Sequence, residues 1–165
     1  MFYYLSLGSN RGNRLSNLKK AIRLIQEKNI ELVKSSSFYL TEPVDFKDQN
    51  WFINVVLKVR SELKPLEMLR IIKKIEDSFR RNRFIQKGPR EIDIDILIAM
   101  KNDNESLILN EENLQIPHPK LNERNFVLIP LSEISSDLKH PVLNMTIKDL
   151  FLNSKDMSKI RKISK

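Results

Sequence analysis

The feature that most constrains the fold is the segment KGPREIDIDIL at residues 87–97. Isoleucines alternate there with Asp93 and Asp95, and this two-residue period is typical of a β-strand with one buried face. Because successive side chains of a strand point to opposite sides, both aspartates must project from the same face. We predict a strand over residues 92–100. The side chains expected to face the helices are Ile92, Ile94, Ile96 and Ile98.

Strands and helices alternate along the rest of the chain. Runs rich in β-branched and aromatic residues predict strands, and apolar residues at spacings of three and four predict amphipathic helices. The order βαββαβ is typical of an α+β ferredoxin-like sandwich, with an antiparallel sheet and helices mainly on one face. The predicted strands cover residues 2–7, 30–40, 52–63 and 92–100, with a weak strand near 107–110, and the predicted helices cover 15–25, 65–79, 125–134 and 146–152.

Length and composition set the class of protein. At 165 residues the chain is expected to form a single domain over residues 1–165, with residues 154–165 as a frayed basic tail. It has no cysteine, no apolar run long enough to cross a membrane and no signal-peptide pattern at its start, so we expect a cytoplasmic protein. The net charge of +8 indicates an anionic partner, and charge alone leaves nucleic acid, a membrane surface and a polyphosphate open.

The aspartate pair predicts a binding site for divalent cations. Two carboxylates about 7 Å apart on one strand face repel each other unless a cation or an arginine cluster lies near them. Mg²⁺ prefers oxygen ligands and is often held by one or two carboxylates together with substrate phosphates, and two such ions fit this pair. The alternative is a solvated strand face on which Asp93 and Asp95 pair with lysines and arginines.

A basic segment leads directly into the acidic strand. Residues 78–90 carry five cations and no acid. Because arginine forks bind phosphate oxygens, this composition predicts a lid that closes over a polyanion bridged to metal. A basic helix end followed by an ordinary loop is the alternative. The five cations are Arg80, Arg81, Arg83, Lys87 and Arg90.

The glycines exclude the common phosphate-binding loops. There are three, Gly8, Gly12 and Gly88, and their spacing fits neither a P-loop nor a Rossmann or protein-kinase glycine loop. Phosphates must therefore be held by side chains. Outside the basic segment the candidates are Arg124 and His118, a residue type whose charge can change near neutral pH. As a lone histidine between prolines, His118 is also compatible with an ordinary surface position.

Five segments of the chain occur in an order that points to a known family. They are LGSN, FYLTEPV, WFINVVL, KGPREIDIDIL and IPHPKLNERNFVLIPLSEI. Together they resemble the 6-hydroxymethyl-7,8-dihydropterin pyrophosphokinases of folate biosynthesis, over nearly the whole chain, and the GPR-x-x-D-x-D element is the most specific part. The resemblance implies an ATP-dependent enzyme that transfers the terminal diphosphate of ATP to the hydroxymethyl group of the pterin and releases AMP.

The resemblance also implies roles for individual residues. Asp93 and Asp95 would hold two Mg²⁺ ions, with ATP as co-substrate, and would form the catalytic group with Arg81, Arg83 and Arg90. The implied ATP-binding residues are Leu69, Lys73, Glu76, Arg81, Arg83, Lys87, Arg90, Ile94, Ile96, Leu114, Ile116, His118 and Arg124. The implied pterin-binding residues are Gly8, Thr41, Glu42, Pro43, Val44, Phe52, Asn54, Asp93 and Phe126.

The residue types agree in part with a pterin site. Phe52 and Asn54 are two residues apart on a predicted strand, so the ring can stack on a pterin while the amide offers both a donor and an acceptor. Without the resemblance, Phe52 is interpreted as a core residue. Gln86 and Lys87 depart from the family pattern, in which a basic and an aromatic residue are usual.

A nucleic-acid-binding module of ferredoxin-like fold is the alternative function. Such a sheet can stack bases on exposed aromatic side chains, and the charge of the chain suits it. However, the chain lacks the aromatic strand signature of RNA-binding sheets, and Asp93 and Asp95 on the binding face would repel phosphates. We therefore expect small-molecule substrates, no nucleic-acid or membrane partner, and a monomer.

Overall fold

The structure is a computed structural model that describes residues 1–44, 48–79, 90–102 and 105–164. The strands in these ranges are β1 (Phe2–Ser9), β2 (Glu31–Ser35), β3 (Phe38–Thr41), β4 (Phe52–Arg60), β5 (Asp93–Asn102), β6 (Glu105–Ser106), β7 (Leu109–Glu111), β8 (Leu114–Ile116) and β9 (Ile160–Ser164). The helices are α1 (Arg14–Gln26), α2 (Pro65–Phe79), α3 (Asn125–Ser135) and α4 (Ile147–Leu152). As far as the described ranges go, none of these helices has the length and apolar character that a bilayer crossing requires.

The main sheet is antiparallel, as the sequence predicts. Its strands follow the order β6-β5-β1-β4-β3-β9, and β2 also pairs with β4. β1 lies between β4 and β5 and is apolar on both faces, which suits a central strand. β7 and β8 form a separate two-stranded sheet. The predicted α+β class with an antiparallel sheet is confirmed.

The four helices are divided between the two faces of the main sheet. α1 and α2 cover one face, where Leu5 and Leu57 of the sheet and Ile72 of α2 belong to one buried cluster. α3 and α4 cover the other face, where Val56 of β4 and Leu128 of α3 belong to a second cluster. The expectation of helices mainly on one face is therefore wrong. The C-terminal helices bury their apolar side chains against the face that a two-layer sandwich would leave to solvent.

A β-bulge in β5 changes which residues face each core. Tyr4 pairs with Ile98 while the next residue, Leu5, pairs with Ile96, so Leu97 is an extra residue in β5. One extra residue moves every later side chain to the opposite face. Ile98 consequently packs with α3 and α4, and its predicted orientation is wrong. The isoleucines that face α1 and α2 as predicted are Ile92, Ile94 and Ile96.

The predicted strand over residues 30–40 is divided into β2 and β3 at Ser36. The Ser36 N–H donates to the Val56 carbonyl at 2.9 Å, and the Ser36 hydroxyl accepts from the Val56 N–H at 2.9 Å. A side-chain hydroxyl thus replaces a backbone group in the ladder, and the strand is interrupted there. β4 ends at Arg60, three residues before its predicted end, where the Ser61 hydroxyl accepts a hydrogen bond from the Leu63 N–H at 3.2 Å.

The C-terminal residues depart most from the sequence expectation. The segment expected to fray contains β9, which pairs antiparallel with β3 and places Ile160 opposite Thr41. A frayed tail is therefore wrong for residues 160–164. The reason is that the edge of β3 offers backbone donors and acceptors, and an added strand satisfies them.

Candidate active site

The predicted site residues of three strands meet on the α3/α4 face of the main sheet. In β5, Asp93 lies opposite Gly8 and Asp95 lies opposite Ser6 of β1. Gly8 in turn lies opposite Asn54 of β4. Because directly opposed residues of neighbouring strands share a face, the acid pair and the Asn54 amide project from the same side of the sheet, on the two strands that flank β1.

The two aspartates of the site differ in their surroundings. Asp93 accepts a hydrogen bond from Arg90 Nη1 at 2.5 Å, and it is about one third exposed. Asp95 lies deeper, and burial followed by the charge of Asp93 raises its pKa to about 6, against the opposing effects of Lys73, Arg124 and Arg90. The neighbouring cations therefore do not offset burial and the charge of Asp93, and a bound cation would favour the ionised form of Asp95.

Asn10 fixes the chain just before the acidic strand, although it is not among the site residues predicted from the sequence. It is fully buried, and its Oδ1 accepts from the Arg90 N–H at 2.7 Å while its own N–H donates to the Arg90 carbonyl at 3.1 Å. Its amide nitrogen donates to Gln49 Oε1 at 2.9 Å. The only signal in the sequence is its place in LGSN, which is equally typical of a turn after a strand. Asn10 thus holds the backbone of Arg90, the residue whose guanidinium pairs with Asp93.

The donor set suits Mg²⁺ better than a metal bound entirely by protein. Asp93 and Asp95 supply carboxylate oxygens from one strand face, and two of the neighbouring cations, Arg90 and Lys73, already act on them. Within the part of the chain that the structure describes, no cluster of three or more acidic or histidine side chains is arranged for a metal ion. Mg²⁺ commonly accepts such a partial set and completes its coordination with water and substrate phosphates.

Four of the predicted pterin-binding residues form a small polar pocket beside the acid pair, which we call the amide pocket: Gly8, Thr41, Phe52 and Asn54. Asn54 is almost fully buried, and its Nδ2 donates to the Thr41 hydroxyl at 2.6 Å. Gly8 leaves the room that this amide occupies, since a Cβ built there would lie 2.6 Å from Asn54 Oδ1 and 3.6 Å from the Phe52 ring. The pocket therefore combines one oriented amide with one partly exposed ring at its rim, which Phe52 provides.

Arg124 and Phe126 lie at the N-terminus of α3, where they contact each other. The guanidinium carbon of Arg124 is 5.5 Å from the centroid of the Phe126 ring. Arg124 also acts electrostatically on Asp95 and on His118. The structure thus brings the Arg124 guanidinium within electrostatic range of Asp95, 29 positions earlier in the sequence, and the Phe126 ring contacts that guanidinium.

His118 is neutral near pH 7, contrary to the expectation of a charge change there. Burial, followed by the charge of Arg124, lowers its pKa to about 4. Its Nδ1 accepts from the Lys120 N–H at 3.1 Å, which leaves the proton on Nε2. His118 can therefore contribute a neutral hydrogen-bond donor, and the backbone bond from its N–H to the Leu97 carbonyl at 2.8 Å fixes it beside β5.

Glu76 links α2 to the acidic strand. It is 1% exposed, and its carboxylate accepts from the Ile94 N–H at 2.8 Å and from Lys73 Nζ at 2.7 Å. Burial raises the pKa of Glu76, and the hydrogen bonds from Lys73 and Ile94 oppose this. The charge of Lys73 also favours the ionised form of Asp95, so the Lys73–Glu76 ion pair interacts with the acid pair of β5.

The remaining predicted residues fall into three sets. Four apolar side chains proposed for ATP pack in the α1/α2 core instead of projecting toward the acid pair: Ile94, Ile96, Leu114 and Ile116. At the periphery of the same core or beside β3 lie Leu69, Glu42, Pro43 and Val44. Outside the described residues lie Arg81, Arg83 and Lys87, together with Arg80 and Gln86.

Comparison with known proteins identifies relatives along most of the chain. Residues 4–136 match the family described as 7,8-dihydro-6-hydroxymethylpterin-pyrophosphokinase, HPPK. A protein from Aquifex aeolicus named 2-amino-4-hydroxy-6-hydroxymethyldihydropteridine pyrophosphokinase is 40% identical over 88% of this chain and 88% of its own length. The Bacillus subtilis protein of the same name is 38% identical over 82% of this chain and 79% of its own length.

Longer relatives and solved structures agree with this assignment. A folic acid synthesis protein of Pneumocystis carinii is 44% identical over 90% of this chain, but the chain spans only 19% of that protein's length. The wild-type HPPK-DHPS of Plasmodium falciparum has the same fold over 92% of this chain and 40% of its own, with a TM-score of 0.68 at 22% identity. The family match, the two relatives of similar length and the shared fold lead to one conclusion: the chain belongs to the 7,8-dihydro-6-hydroxymethylpterin-pyrophosphokinase family.

Proposed function

We propose that this chain transfers the terminal diphosphate of ATP to 6-hydroxymethyl-7,8-dihydropterin. The hydroxymethyl oxygen forms a bond to the β-phosphorus, and the bond between that phosphorus and the oxygen bridging to the α-phosphate breaks. AMP leaves with the bridging oxygen, and the hydroxyl proton is released to solvent. The products are AMP and the pterin diphosphate, an intermediate class required in folate biosynthesis.

The observation that carries this proposal is the shared face of the acid pair and the amide pocket. Asp93 and Asp95 lie on β5 and Asn54 lies on β4, with Gly8 of β1 between them. A polyphosphate held at the acids and a planar heterocycle held at the amide would therefore meet over β1. Such positioning of two reactants is the main contribution that phosphoryl-transfer enzymes make to rate.

At the nucleotide end, the acids and cations have complementary roles. Asp93 and Asp95 would hold two Mg²⁺ ions, and bound Mg²⁺ would offset the charge of the triphosphate and of the transition state. Arg90 and Arg124 bind phosphate oxygens, and His118 donates a neutral hydrogen bond from Nε2. The same role is proposed for Arg81, Arg83 and Lys87. Around the nucleoside we propose Leu69, Lys73 and Glu76. We also propose backbone groups of four residues whose side chains pack in the α1/α2 core: Ile94, Ile96, Leu114 and Ile116.

At the pterin end, the amide pocket recognises the edge of the ring. The Asn54 amide offers a donor and an acceptor to the paired polar groups of a pterin, and its hydrogen bond with Thr41 orients it. Phe52 and Phe126 stack on the two faces of the ring, and residues 42–44 line its side. A buried polar group that pairs with the substrate discriminates strongly against analogues lacking the partner atoms.

The proposal extends to the fold, the number of domains, the oligomeric state and the location of the protein. The strand order β5-β1-β4-β3 supports a ferredoxin-like core to which the α3 and α4 layer is added. We further propose one domain, a monomer and a cytoplasmic location. A nucleic-acid-binding module receives no support from the comparisons, since the matching family and the named relatives are pyrophosphokinases or folate-synthesis proteins.

The test is to incubate the purified protein with ATP, Mg²⁺ and 6-hydroxymethyl-7,8-dihydropterin and to separate the nucleotides. We expect AMP in equal amount to the pterin diphosphate, with neither formed when Mg²⁺ is chelated. Release of ADP instead would contradict attack at the β-phosphorus. A protein that forms neither nucleotide product but retards RNA in a salt-dependent way would favour the nucleic-acid alternative.

A further inference from the structure

A segment after α4 crosses the edge of the candidate site. Residues 154–159 connect α4 to β9, and the family match ends well before them at residue 136. We name residues 154–159 the strap. Within it, Asp156 and Lys159 contact residues on two different sides of the site. Because Asp156 and Lys159 lie outside the matched residues 4–136, the family match assigns no role to the strap.

Asp156 supplies the N-terminal cap that α3 lacks. The residue before the helix, Arg124, makes no side-chain capping hydrogen bond. Instead, Asp156 Oδ2 accepts from the Asn125 N–H at 2.7 Å, and the Asp156 carbonyl accepts from Asn125 Nδ2 at 2.8 Å. A carboxylate at a helix N-terminus satisfies an otherwise unpaired N–H and interacts favourably with the helix dipole. The first residue of α3 is therefore fixed by a residue 31 positions later in the chain.

The carboxylate of Asp156 is itself held in place. Its Oδ1 accepts from the Ser158 N–H at 2.8 Å, and the Asp156 N–H donates to the Ser154 hydroxyl at 3.2 Å. Hydrogen bonds from Ser158 and Asn125 lower the pKa of Asp156 despite the opposing effect of burial, so it is ionised at neutral pH. A carboxylate held on both sides can transmit a fixed position to the helix that it caps.

The other end of the strap holds the loop that follows β3. The Glu42 N–H donates to the Lys159 carbonyl at 2.9 Å, and the Lys159 N–H donates to Glu42 Oε2 at 3.2 Å. Glu42 directly follows Thr41, the residue that orients the Asn54 amide. One short segment thus joins the start of α3 to the residue that follows Thr41 of the amide pocket.

We propose that Asp156 is a positioning residue that sets the place of Arg124 and Phe126 relative to the amide pocket. These two residues flank Asn125, whose backbone and side chain Asp156 holds. The inference rests on the proposed function, in which Arg124 binds phosphate and Phe126 stacks on the pterin. Misplacing groups that hold two reactants weakens the binding of both, since productive geometry tolerates shifts of only about 0.5 Å.

The test compares Asp156→Ala and Asp156→Asn with Asp149→Ala. Asp149 is a matched control because it is an acid in the first turn of α4, where its carboxylate accepts from the hydroxyl of the N-cap residue Thr146 at 2.6 Å. For Asp156→Ala we expect KM to rise by about tenfold for ATP and for the pterin. Asp156→Asn retains an oxygen that can accept from the Asn125 N–H, so we expect an intermediate KM. For Asp149→Ala we expect a lower melting temperature with both KM values unchanged.

The outcomes separate this inference from the proposed function. A wild-type protein that releases no AMP would overturn the function itself. If the wild type is active and all three variants keep its KM values, only the positioning role of Asp156 is overturned. The same holds if the KM values of Asp149→Ala rise as much as those of Asp156→Ala. If Asp156→Ala does not fold, Asp156→Asn against Asp149→Asn decides: we expect about a threefold rise in KM only for the former.

Discussion

The two faces of the main sheet use the same kinds of strand for different purposes. The α1/α2 face is a closed apolar core in which Leu5, Leu57 and Ile94 are almost fully buried. The α3/α4 face is apolar only over part of its area, and beyond α3 it presents Asp93, Asp95 and the amide pocket. One sheet can therefore separate stability from chemistry, because alternate residues of a strand serve opposite faces.

Replacing an aspartate of the acid pair should have the largest effect on activity and almost none on folding. We expect Asp95→Ala and Asp93→Ala to lower kcat/KM by about a thousandfold or more, since the charge that draws Mg²⁺ and phosphates together is lost. Removing one carboxylate also relieves repulsion, so thermal unfolding should change little. Steady-state AMP formation and a melting curve test this. The control is Glu105→Ala, because Glu105 is an acid of β6 that pairs with Lys101 of β5. Ordinary turnover in either aspartate variant would contradict a metal role.

Truncating a core residue on the opposite face should have the reverse effect. Leu57 neighbours Val56 in β4, but its side chain is fully buried in the α1/α2 core. We expect Leu57→Ala to lower the free energy of unfolding by about 2–5 kcal/mol, because it leaves a cavity. KM for both substrates should stay within a factor of about two below the melting temperature. Denaturant unfolding measures the loss of stability, and steady-state kinetics well below the melting temperature of the variant measure KM. A change in KM as large as that of a site variant would contradict the separation of stability and chemistry between the two faces.

Adding one methyl group at Gly8 should disturb the pterin end alone. The new Cβ would lie 2.6 Å from Asn54 Oδ1, so the amide must move out of its hydrogen bond with Thr41. We expect KM for the pterin to rise by about tenfold, with KM for ATP unchanged. Gly12→Ala is the control, because its φ of 63° makes alanine strained while its Cβ would approach no atom closer than 3.9 Å. It should lower stability without changing KM for the pterin. Equal KM values for the pterin in both variants would contradict the role of Gly8.

The smallest effect concerns a carboxylate on the α3/α4 face that supports structure only. Burial alone would raise the pKa of Glu133, but hydrogen bonds from Ser37, Tyr39 and Lys162 outweigh it and lower the pKa to about 2. Because the folded pKa lies below the ordinary value of 4.5, the stabilisation is complete above about pH 4.5 and is lost as the pH falls toward 2.

We expect Glu133→Gln to lower the free energy of unfolding by about 1–2 kcal/mol at pH 7, and by less at pH 3. Denaturant unfolding at the two pH values measures this, and kcat/KM at pH 7 should be unchanged. A difference that grows on acidification would show that the carboxylate does not stabilise the folded state.

Prediction from sequence succeeds where a pattern is local. The acidic strand, the confirmed orientations of Ile94 and Ile96, and the helices α2 and α3 follow from periodicity alone. The resemblance added the roles of the pterin-binding residues on the other strands, such as Gly8 and Asn54. The failures involve Ile98, behind a bulge that depends on pairing with β1, and the C-terminal segment, whose strand exists only because the edge of β3 accepts it.

The sequence by itself determined the class of fold, the family, and the acidic and basic groups whose chemistry suits a metal-bound polyphosphate. Only the tertiary structure decided that His118 is neutral, that Asn10 anchors Arg90 and that Asp156 caps α3. The physical reason is that periodicity reports which face a side chain takes on its own element. Burial, pKa and long-range hydrogen bonds depend on which other elements pack against it, and such partners are far away in the chain, as Asn10 and Arg90 are at a separation of 80 residues.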